Sequence, residues 1–449
     1  MSETTNAGEK HVAVLAFPFG THAAPLLSLV SRIAATAPNV YFSFFCTSNS
    51  NNSVFSNEGL NNIKPYDVYD GLPEGFTWSS NNPIEPVMLF LKAMPDNYKS
   101  VMEVAVRERR REISCIMSDA FFGFAGKMAE EMDVNWVPLW TAGPRSLLVH
   151  VDTDVIRKIL GDSTGSEDQT LEIIPGFSSS MRAVDLPEGV ITNITSPFSM
   201  MLYDMGLMLP HATAVAINSY EEIDLDIVNI LKQRFHKFLN VGPFLLTCPQ
   251  TICSDEHGCL EWLDKRKADS VAYISFGSVI TLPPHEQAAL ADALEASGFP
   301  FLWSLRSFEE SLPKEFIERT RTQGKIVPWA PQMLVLEHRS VGVFVTHCGW
   351  NSVLESVIAG VPMICRPFFG DQRLNMRTVE ASWGIGVGLE GGVFTKDGML
   401  KALEQTLSSE QGKEMREKAE AFNESALEAV ARNGSSTKDF NTLVKLVTS

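Results

Sequence analysis

The residues of this chain best suited to chemistry stand where an apolar strand gives way to a helix, in the stretch VTHCGWNSVLES. The apolar run stops at His347 and Gly349, and small polar residues then open a helical pattern. The first N–H groups of a helix lack partners within it and carry about half a positive charge, so they attract anions. Gly349 allows a ligand to approach the backbone closely, and His347 can donate to a phosphate oxygen. The pattern therefore predicts a phosphate-binding turn, with a glycine turn before a capped helix as the alternative.

A second pair of residues suited to acid–base chemistry follows two apolar runs in the first half of the chain. His22 comes after HVAVLAFPF, and Asp119 closes SCIMSD. Because the carboxyl ends of parallel strands share one edge of a sheet, these two side chains can meet. A carboxylate beside an imidazole fixes its tautomer and stabilises the protonated form. The pair can therefore remove a proton from a weak hydroxyl nucleophile, although a lone histidine at a strand end more often has a structural role.

Strands that alternate with helices must hold these sites, and the sequence shows that alternation twice. Apolar runs predict buried parallel strands at residues 11–19, 40–46, 114–117, 136–140, 270–278, 301–305, 325–328, 341–347 and 363–366. Helical spacing appears at 24–36, at 284–297 and from residue 351 onward. The fold class is therefore α/β, with doubly wound sheets.

A turn-rich stretch separates the two series of strands. Residues 246–262 show no clear period and predict a linker. The chain of 449 residues is too long for one ordinary core, so we expect an N-terminal domain at 1–245 and a C-terminal domain at 263–434. Residues 435–449 have helical spacing and predict a final helix.

Composition narrows the possible partners and the compartment. A net charge of −17 argues against nucleic acid or an anionic membrane as the main partner. No run reaches the roughly 18 apolar residues of a membrane helix, and the N-terminus lacks a signal-peptide pattern. The seven scattered cysteines then indicate reduced thiols in a cytoplasmic protein. Cys253, His257 and Cys259 lie close together, but no second ligand pair has zinc spacing, so we expect no metal site.

The stretch WAPQMLVLEHRSVGVFVTHCGWNSVLESVIAGVPMICRPFFGDQ, residues 329–372, resembles the signature box of plant UDP-dependent glycosyltransferases almost position for position. AFPFGTHAAPLL, DAFFGFA, GLPEGF and SVAYISFGSV are similar to the flavonoid 3-O-glycosyltransferase branch of that family. The resemblance implies the GT-B fold, in which two Rossmann-like domains face each other across a cleft. It also implies that the final helix packs back on the N-terminal domain.

The resemblance assigns the sugar nucleotide to the C-terminal domain. Trp329 would stack on the uracil, and the backbone of Ala330 would read its edge. Gln332 and Glu355 would hold the ribose, because a carboxylate can accept from two vicinal hydroxyls. The remaining expected donor-binding residues are Ser278, His347, Asn351 and Ser352 at the diphosphate, and Trp350, Asp371, Gln372 and Thr141 at the sugar.

The resemblance also implies the reaction. His22 would act as the general base with Asp119 as its partner, and the acceptor oxygen would displace UDP from an α-linked UDP-sugar, giving a β-glycoside. The UDP-sugar is a co-substrate, and no cofactor or metal is expected, because a helix N-terminus and a histidine can hold the departing charge. Gln372 favours glucose, since histidine at that position often accompanies galactose in similar enzymes.

The acceptor would lie in an apolar slot of the N-terminal domain. Phe17, Phe121, His150 and Phe369 match positions that line this slot in similar enzymes, and a flat aromatic acceptor would stack on phenylalanines. Arg145 departs from the pattern, because the flavonoid branch often has asparagine there. Arg145 either alters how the acceptor's hydroxyls are held or points elsewhere.

We therefore expect an inverting UDP-glucose:flavonoid 3-O-glucosyltransferase that acts on flavonols or anthocyanidins as a monomer, without membrane insertion. UDP-galactose as the donor and another small phenolic aglycone as the acceptor are alternatives within this class. A sugar-nucleotide 2-epimerase is an alternative of another class, which would share the architecture but need no acceptor slot beside His22. A non-catalytic sensor of sugar nucleotides would need neither His22 nor Asp119.

Overall fold

Two β-sheets, in which all strands run parallel, form the framework of the chain. A computed structural model describes residues 10–55, 61–76, 85–161, 168–172, 174–248, 254–277, 280–306 and 308–449. One structural unit comprises 1–162, 189–249 and 429–449, and the other comprises 163–188 and 250–428. The boundaries drawn from the sequence stay a prediction, and they differ from this division mainly at 163–188, which groups with the second unit.

The first unit contains the strands β1 (Lys10–Leu15), β2 (Val40–Thr47), β3 (Ile63–Val68), β4 (Cys115–Asp119), β5 (Asn135–Trp140), β6 (Val215–Ile217) and β7 (Phe238–Asn240). They lie in the order β3-β2-β1-β4-β5-β6-β7. The order reverses between β1 and β4, where Leu15 lies opposite Ser118. Open α/β sheets place ligand sites beyond the carboxyl ends of their strands at such a reversal. His22 and Asp119 stand at this point of the sheet.

Helices of the first unit connect these strands. They are α1 (Ala23–Thr36), α2 (Ser48–Val54), α3 (Glu85–Ala93), α4 (Asp96–Arg109), α5 (Gly123–Glu131), α6 (Pro144–Val151), α7 (Thr153–Leu160), α8 (Pro197–Met208), α9 (Leu225–Arg234) and α10 (Phe244–Thr247). Leu26, Leu29 and Ile33 recur at helical spacing on α1 and are buried in the core. The last helix of the chain adds Phe440 and Leu443 to the same core.

The second unit has six strands: β8 (Val271–Ser275), β9 (Phe301–Ser304), β10 (Gly324–Val327), β11 (Val341–Thr346), β12 (Met363–Cys365) and β13 (Gly386–Gly388). They lie in the order β10-β9-β8-β11-β12-β13, which reverses between β8 and β11. Thr346, the last residue of β11, lies opposite Ser275 at this reversal. The turn of His347 and Gly349 follows directly, so it lies where open α/β sheets bind ligands.

The remaining helices follow in chain order. They are α11 (Cys259–Asp264), α12 (Pro284–Ser297), α13 (Phe308–Ser311), α14 (Lys314–Thr320), α15 (Gln332–Leu336), α16 (Trp350–Ala359), α17 (Gln372–Arg377), α18 (Lys396–Leu407), α19 (Glu410–Val430) and α20 (Ser435–Thr448). Leu290 and Leu294 of α12, with Leu403 of α18, share one core with Ile274 of β8 and Val345 of β11. This core supports the strands that lead into the His347 turn.

Within the part of the chain that the structure describes, no helix has the length and apolar character to cross a membrane. No group of three or more histidine, cysteine or acidic side chains is arranged to hold a metal ion among the same residues. Cys253 lies outside the described residues.

Candidate active site

His22 and Asp119 meet at the strand reversal of the first unit. His22 directly precedes α1, and its Nδ1 lies 2.8 Å from Oδ2 of Asp119. Asp119 is 1% exposed, and its Oδ1 accepts a hydrogen bond from the backbone N–H of Phe121 at 2.9 Å. Both carboxylate oxygens are therefore engaged, which fixes the orientation of the carboxylate toward the imidazole.

Thr141 completes the surroundings of the imidazole. Its Oγ1 lies 3.2 Å from Nδ1 of His22, so two oxygens face that nitrogen. This arrangement favours the tautomer that carries its proton on Nδ1 and donates it to Asp119. Among the described residues, Nε2 of His22 has no hydrogen-bond partner, and the side chain is 20% exposed. Nε2 is thus available to accept a proton from a ligand.

Aromatic rings pack around His22, and two of them belong to residues that the resemblance assigns to the acceptor slot. The rings of Phe17 and Phe121 lie 5.2 and 4.6 Å from the imidazole, measured between centroids. His150 does not join this group directly, and its ring lies 5.7 Å from Trp140, which in turn packs on Phe121. Burial lowers the pKa of His150 to about 4, so this imidazole is neutral near pH 7. Phe369 belongs to the second unit and is 54% exposed.

An apolar cavity of about 650 Å³ adjoins Phe121 in the first unit. Side chains of α3, α5 and α8 line it, among them Met88, Leu89, Phe124, Met201 and Met208. Methionine adapts to varied apolar shapes, so these walls suit a flat or irregular organic molecule. Sequence reasoning did not find this cavity; the available signal was the methionine-rich helix PFSMMLYDMGLM.

Arg145 pairs with Asp224, the residue directly before α9. Its Nε donates to Oδ2 of Asp224 at 2.7 Å, and its Nη2 donates to Oδ1 at 3.3 Å. Both residues are buried. Burial raises the pKa of Asp224, and Arg145 opposes that effect. Of the two possibilities that the sequence left open for Arg145, the structure shows that the guanidinium points elsewhere, into a bidentate ion pair.

The His347 turn of the second unit has the backbone geometry of an anion site. Cys348 adopts a positive φ of 62°, and Gly349 then precedes the first turn of α16 in an extended conformation. A Cβ atom at Gly349 would collide with Nε2 of His347, so only glycine lets the imidazole lie against this turn. Burial lowers the pKa of His347 to about 4, and its buried Nδ1 has no hydrogen-bond partner among the residues that the structure describes. His347 is therefore a neutral imidazole at the start of a helix, and none of the described residues bonds to its Nδ1.

Asn375 is a site residue that the sequence reasoning missed. Its Nδ2 donates to Oδ2 of Asp371 and to the backbone oxygen of Cys348, each at 3.0 Å. This amide therefore connects a residue predicted to meet the sugar with the turn predicted to hold the diphosphate. The signal in the sequence was an asparagine one helical turn after Asp371, in GDQRLN.

The predicted ribose residues form a separate cluster. Gln332, at the start of α15, donates through Nε2 to Oε2 of Glu355 at 2.5 Å. Oε1 of Gln332 accepts from the hydroxyl of Tyr273 at 3.1 Å. Burial raises the pKa of Glu355 to about 7, so the carboxyl is poised between its neutral and charged forms near neutral pH.

The other predicted donor residues divide into exposed and buried side chains. Trp329 is 44% exposed, whereas Ala330, Trp350, Ser352 and Gln372 are buried. Oε1 of Gln372 accepts from the backbone N–H groups of Phe368 and Phe369, which fixes the orientation of its amide. Ser278 lies outside the described residues, and Asn351 follows Trp350 in the first turn of α16.

Comparisons with known proteins extend these observations over the whole chain. Residues 251–418 match the family described as UDP-glucoronosyl and UDP-glucosyl transferase. A flavonoid 3-O-glucosyltransferase of Medicago truncatula is 58% identical over 98% of this chain and 97% of its own length. An anthocyanidin 3-O-glucosyltransferase of Vitis vinifera is 53% identical over 100% of this chain and 99% of its own length.

Among solved structures, a UDP-glucose: anthocyanidin 3-O-glucosyltransferase in complex with UDP is similar over 98% of this chain and 99% of that chain. The sequence identity is 43%, and the TM-score is 0.93. The expected fold class, α/β with two Rossmann-like domains of the GT-B type, is therefore confirmed. The chain belongs to the UDP-glucoronosyl and UDP-glucosyl transferase family, and it is a UDP-glycosyltransferase.

Proposed function

We propose that this enzyme transfers glucose from UDP-glucose to the 3-hydroxyl of a flavonol or an anthocyanidin, with inversion at the anomeric carbon. The observation that carries the proposal is the hydrogen bond of His22 to Asp119, which leaves Nε2 without a partner among the described residues. A general base needs this combination of a fixed imidazole and an available nitrogen. The names of the relatives support flavonoid acceptors and the 3-hydroxyl.

The chemical step follows from this geometry. Nε2 of His22 removes the proton of the acceptor hydroxyl, and Asp119 stabilises the imidazolium that forms. The acceptor oxygen then forms a bond with the anomeric carbon, while the bond from that carbon to the diphosphate breaks and UDP takes the electron pair. One displacement of an α-linked donor gives a β-glucoside. General-base catalysis of this kind typically contributes roughly 10²- to 10⁴-fold in rate.

The leaving group would be held by the His347 turn. The unpaired N–H groups at the start of α16 and an N–H of neutral His347 would donate to the diphosphate. Asn351 and Ser352 would add polar contacts, as would Ser278. No step of this scheme requires a metal or a further cofactor, because these donors face the charge that develops on UDP.

The nucleoside and the sugar would contact the other predicted residues of the second unit. The exposed ring of Trp329 suits stacking on uracil, with the backbone of Ala330 at its edge. The Gln332–Glu355 pair would bind the ribose hydroxyls. The remaining proposed contacts, all to the sugar, involve Trp350, Asp371, Gln372 and Thr141.

The choice of glucose rests on Gln372. Two backbone N–H groups fix its carboxamide, and a fixed amide can distinguish an equatorial from an axial hydroxyl on the sugar. This argument favours UDP-glucose over UDP-galactose, which remains the second candidate donor.

The acceptor would contact the aromatic group next to His22. Phe17 and Phe121 present ring edges and faces beside the base, and the adjoining cavity offers apolar walls for a flat polycyclic molecule. His150 and Phe369 are proposed as further acceptor contacts. Another small phenol would satisfy the same chemistry, so it is the alternative acceptor class.

The cellular setting and the domain boundaries are part of the proposal. Five buried cysteines are free thiols, which supports a reducing, cytoplasmic location; they are Cys46, Cys115, Cys259, Cys348 and Cys365. We propose a monomer whose domains span 1–245 and 263–434, with a linker at 246–262 and a final helix at 435–449.

One incubation tests the proposed reaction. The purified enzyme receives an equimolar mixture of UDP-glucose, labelled with ¹³C in the sugar, and unlabelled UDP-galactose, with kaempferol, quercetin, cyanidin or simple phenols. The mass of each product then identifies its sugar, and the coupling of the anomeric proton identifies the β configuration. The proposal predicts 3-O-β-glucosides. It fails if the flavonoids stay unglycosylated while other phenols react. An epimerised nucleotide sugar formed without any acceptor would instead support the epimerase alternative.

A further inference from the structure

A second cavity lies within the second unit, and none of its lining residues is among those assigned to the donor. It has a volume of about 410 Å³, which falls within the range of small-molecule sites, roughly 300–1,000 Å³. Its apolar walls are Val184, Pro367, Met376 and Leu389. Its charged lining residues are Arg182, Asp185, Arg373, Arg377 and Glu380.

The two carboxylates of this cavity are already fully engaged. Arg377 donates from Nε to Asp185 at 3.3 Å and from Nη1 to Glu380 at 2.7 Å. The second oxygen of Asp185 accepts from the backbone N–H of Arg182, and the second oxygen of Glu380 accepts from that of Gly388, both at 2.9 Å. Because every carboxylate oxygen has a donor, this cluster does not offer ligands to a cation.

The two other arginines leave positive charge at the cavity. Arg373 is exposed and forms no ion pair with any described residue. Arg182 pairs at 3.0 Å with Asp168, but the two side chains are 44% and 91% exposed, and such surface pairs are weak. The Asp185–Arg377–Glu380 network holds two carboxylates and one guanidinium, and Arg182 and Arg373 outweigh its remaining negative charge. The charged residues that line the cavity therefore sum to one positive charge, in a protein of net charge −17.

We propose that this cavity binds a small organic anion, with a carboxylate or phosphate group on Arg373 and Arg182 and an apolar body against Val184, Met376 and Leu389. The planar guanidinium forks match the oxygens of either anionic group. The apolar walls require a hydrophobic body, because an inorganic anion would leave them without contacts. Gly391 and Gly392, with φ of 68° and 69°, form one edge of the cavity without side chains.

Binding is tested by calorimetry on the full chain at low ionic strength, with benzoate, phenyl phosphate, inorganic phosphate and phenol as probes. Benzoate or phenyl phosphate is expected to bind more tightly than inorganic phosphate and phenol. The tighter of the two organic anions identifies the preferred anionic group. Arg373→Gln and Arg182→Gln are each expected to weaken binding about tenfold, since each removes a charge-assisted hydrogen bond. Arg321→Gln, which removes an exposed arginine that does not line the cavity, serves as the matched control.

Saturating UDP is expected to leave the binding of the organic anion unchanged. The inference is overturned if UDP displaces the probe, since the probe would then occupy the His347 turn. It is also overturned if inorganic phosphate binds as well as phenyl phosphate, or if both arginine variants bind like the parent protein. None of these measurements depends on sugar transfer, so the site and the proposed function can fail separately.

Discussion

Asp119 holds His22 through one carboxylate oxygen, at 2.8 Å from Nδ1, and is itself held through the other by the backbone N–H of Phe121. An amide at position 119 could keep the contact with Phe121 but would turn an N–H toward Nδ1, favouring the wrong tautomer of His22. We therefore expect Asp119→Asn to lower kcat by roughly 10²- to 10⁴-fold, because this is the rate enhancement that general-base catalysis typically supplies. His22→Ala should lower it at least as much, and both variants should bind UDP-glucose with the parent affinity in calorimetry. Normal turnover in His22→Ala would remove this residue from its proposed role.

The contact between His22 and Asp119 shows how far the sequence alone can go. Each residue follows a continuous apolar run, and the rule that ligands bind at the carboxyl ends of parallel strands was sufficient to place them together. The same rule placed the His347 turn. These positions could be found because the apolar pattern of a buried strand is local, and the direction of the strand sets the edge at which it ends. The chemical roles of the residues at those positions stay predictions.

Other features had no local signal. Strands β6 and β7 have three residues each, too few to show a period. The first strand was predicted to reach residue 19, but β1 ends at Leu15, before Pro18 and the positive φ of Gly20. Residues 163–188 group with the second unit, where Asp185 pairs with Arg377, and an ion pair between distant residues leaves no pattern in the sequence.

Glu355 makes donor binding dependent on pH. Burial raises its pKa to about 7, so the free enzyme carries a neutral carboxyl below this pH and a carboxylate above it. The carboxylate accepts from two ribose hydroxyls, whereas the neutral form offers fewer acceptor sites. The Kd of UDP-glucose should therefore fall as pH rises from 6 to 8.5. The measurement uses His22→Ala, in which the donor is not consumed.

Glu355→Gln should remove this pH dependence and weaken donor binding by about tenfold, the range for a hydrogen bond to a charged group. Glu337→Gln, at an exposed carboxylate just after α15, should keep the pH profile of the parent. A parent Kd that is flat over this pH range would contradict the proposed contact between Glu355 and the ribose.

Asn375 should affect the donor without touching the base. Asn375→Ala removes the hydrogen bonds to Asp371 and Cys348, so the sugar contact and the diphosphate turn lose their connection. With each hydrogen bond worth about 1 kcal/mol, we expect the KM for UDP-glucose to rise by roughly 10- to 30-fold. The KM for the acceptor should not change.

Asn423→Ala provides the matched control for Asn375. Like Asn375, Asn423 donates its side-chain amide to a backbone oxygen. The acceptor is Ile358 of α16, at the opposite end of that helix from the His347 turn. An equal rise of donor KM in both variants would indicate a general loosening of α16 and contradict the specific role of Asn375.

Activity should survive removal of divalent metals. The N–H groups at the start of α16 and neutral His347 are proposed to hold the charge that develops on UDP, so no metal is needed at the diphosphate. Treatment with EDTA followed by gel filtration should leave kcat and the donor KM unchanged. A loss of activity that Mg²⁺ or Mn²⁺ restores would overturn the metal-free scheme.

Arg145 should matter for stability and not for the choice of acceptor. It forms a buried, bidentate pair with Asp224, and removal of either partner breaks this ion pair inside the protein. We expect Arg145→Met or Asp224→Asn alone to lower the free energy of unfolding by about 3–5 kcal/mol. The double variant should lose less than the sum of the two, since neither charge remains. Denaturant unfolding of the parent, the two single variants and the double variant measures these differences in free energy. The acceptor KM of the double variant should equal that of the parent. A double variant that unfolds normally but changes its preferred acceptor would show instead that the guanidinium helps to select the acceptor.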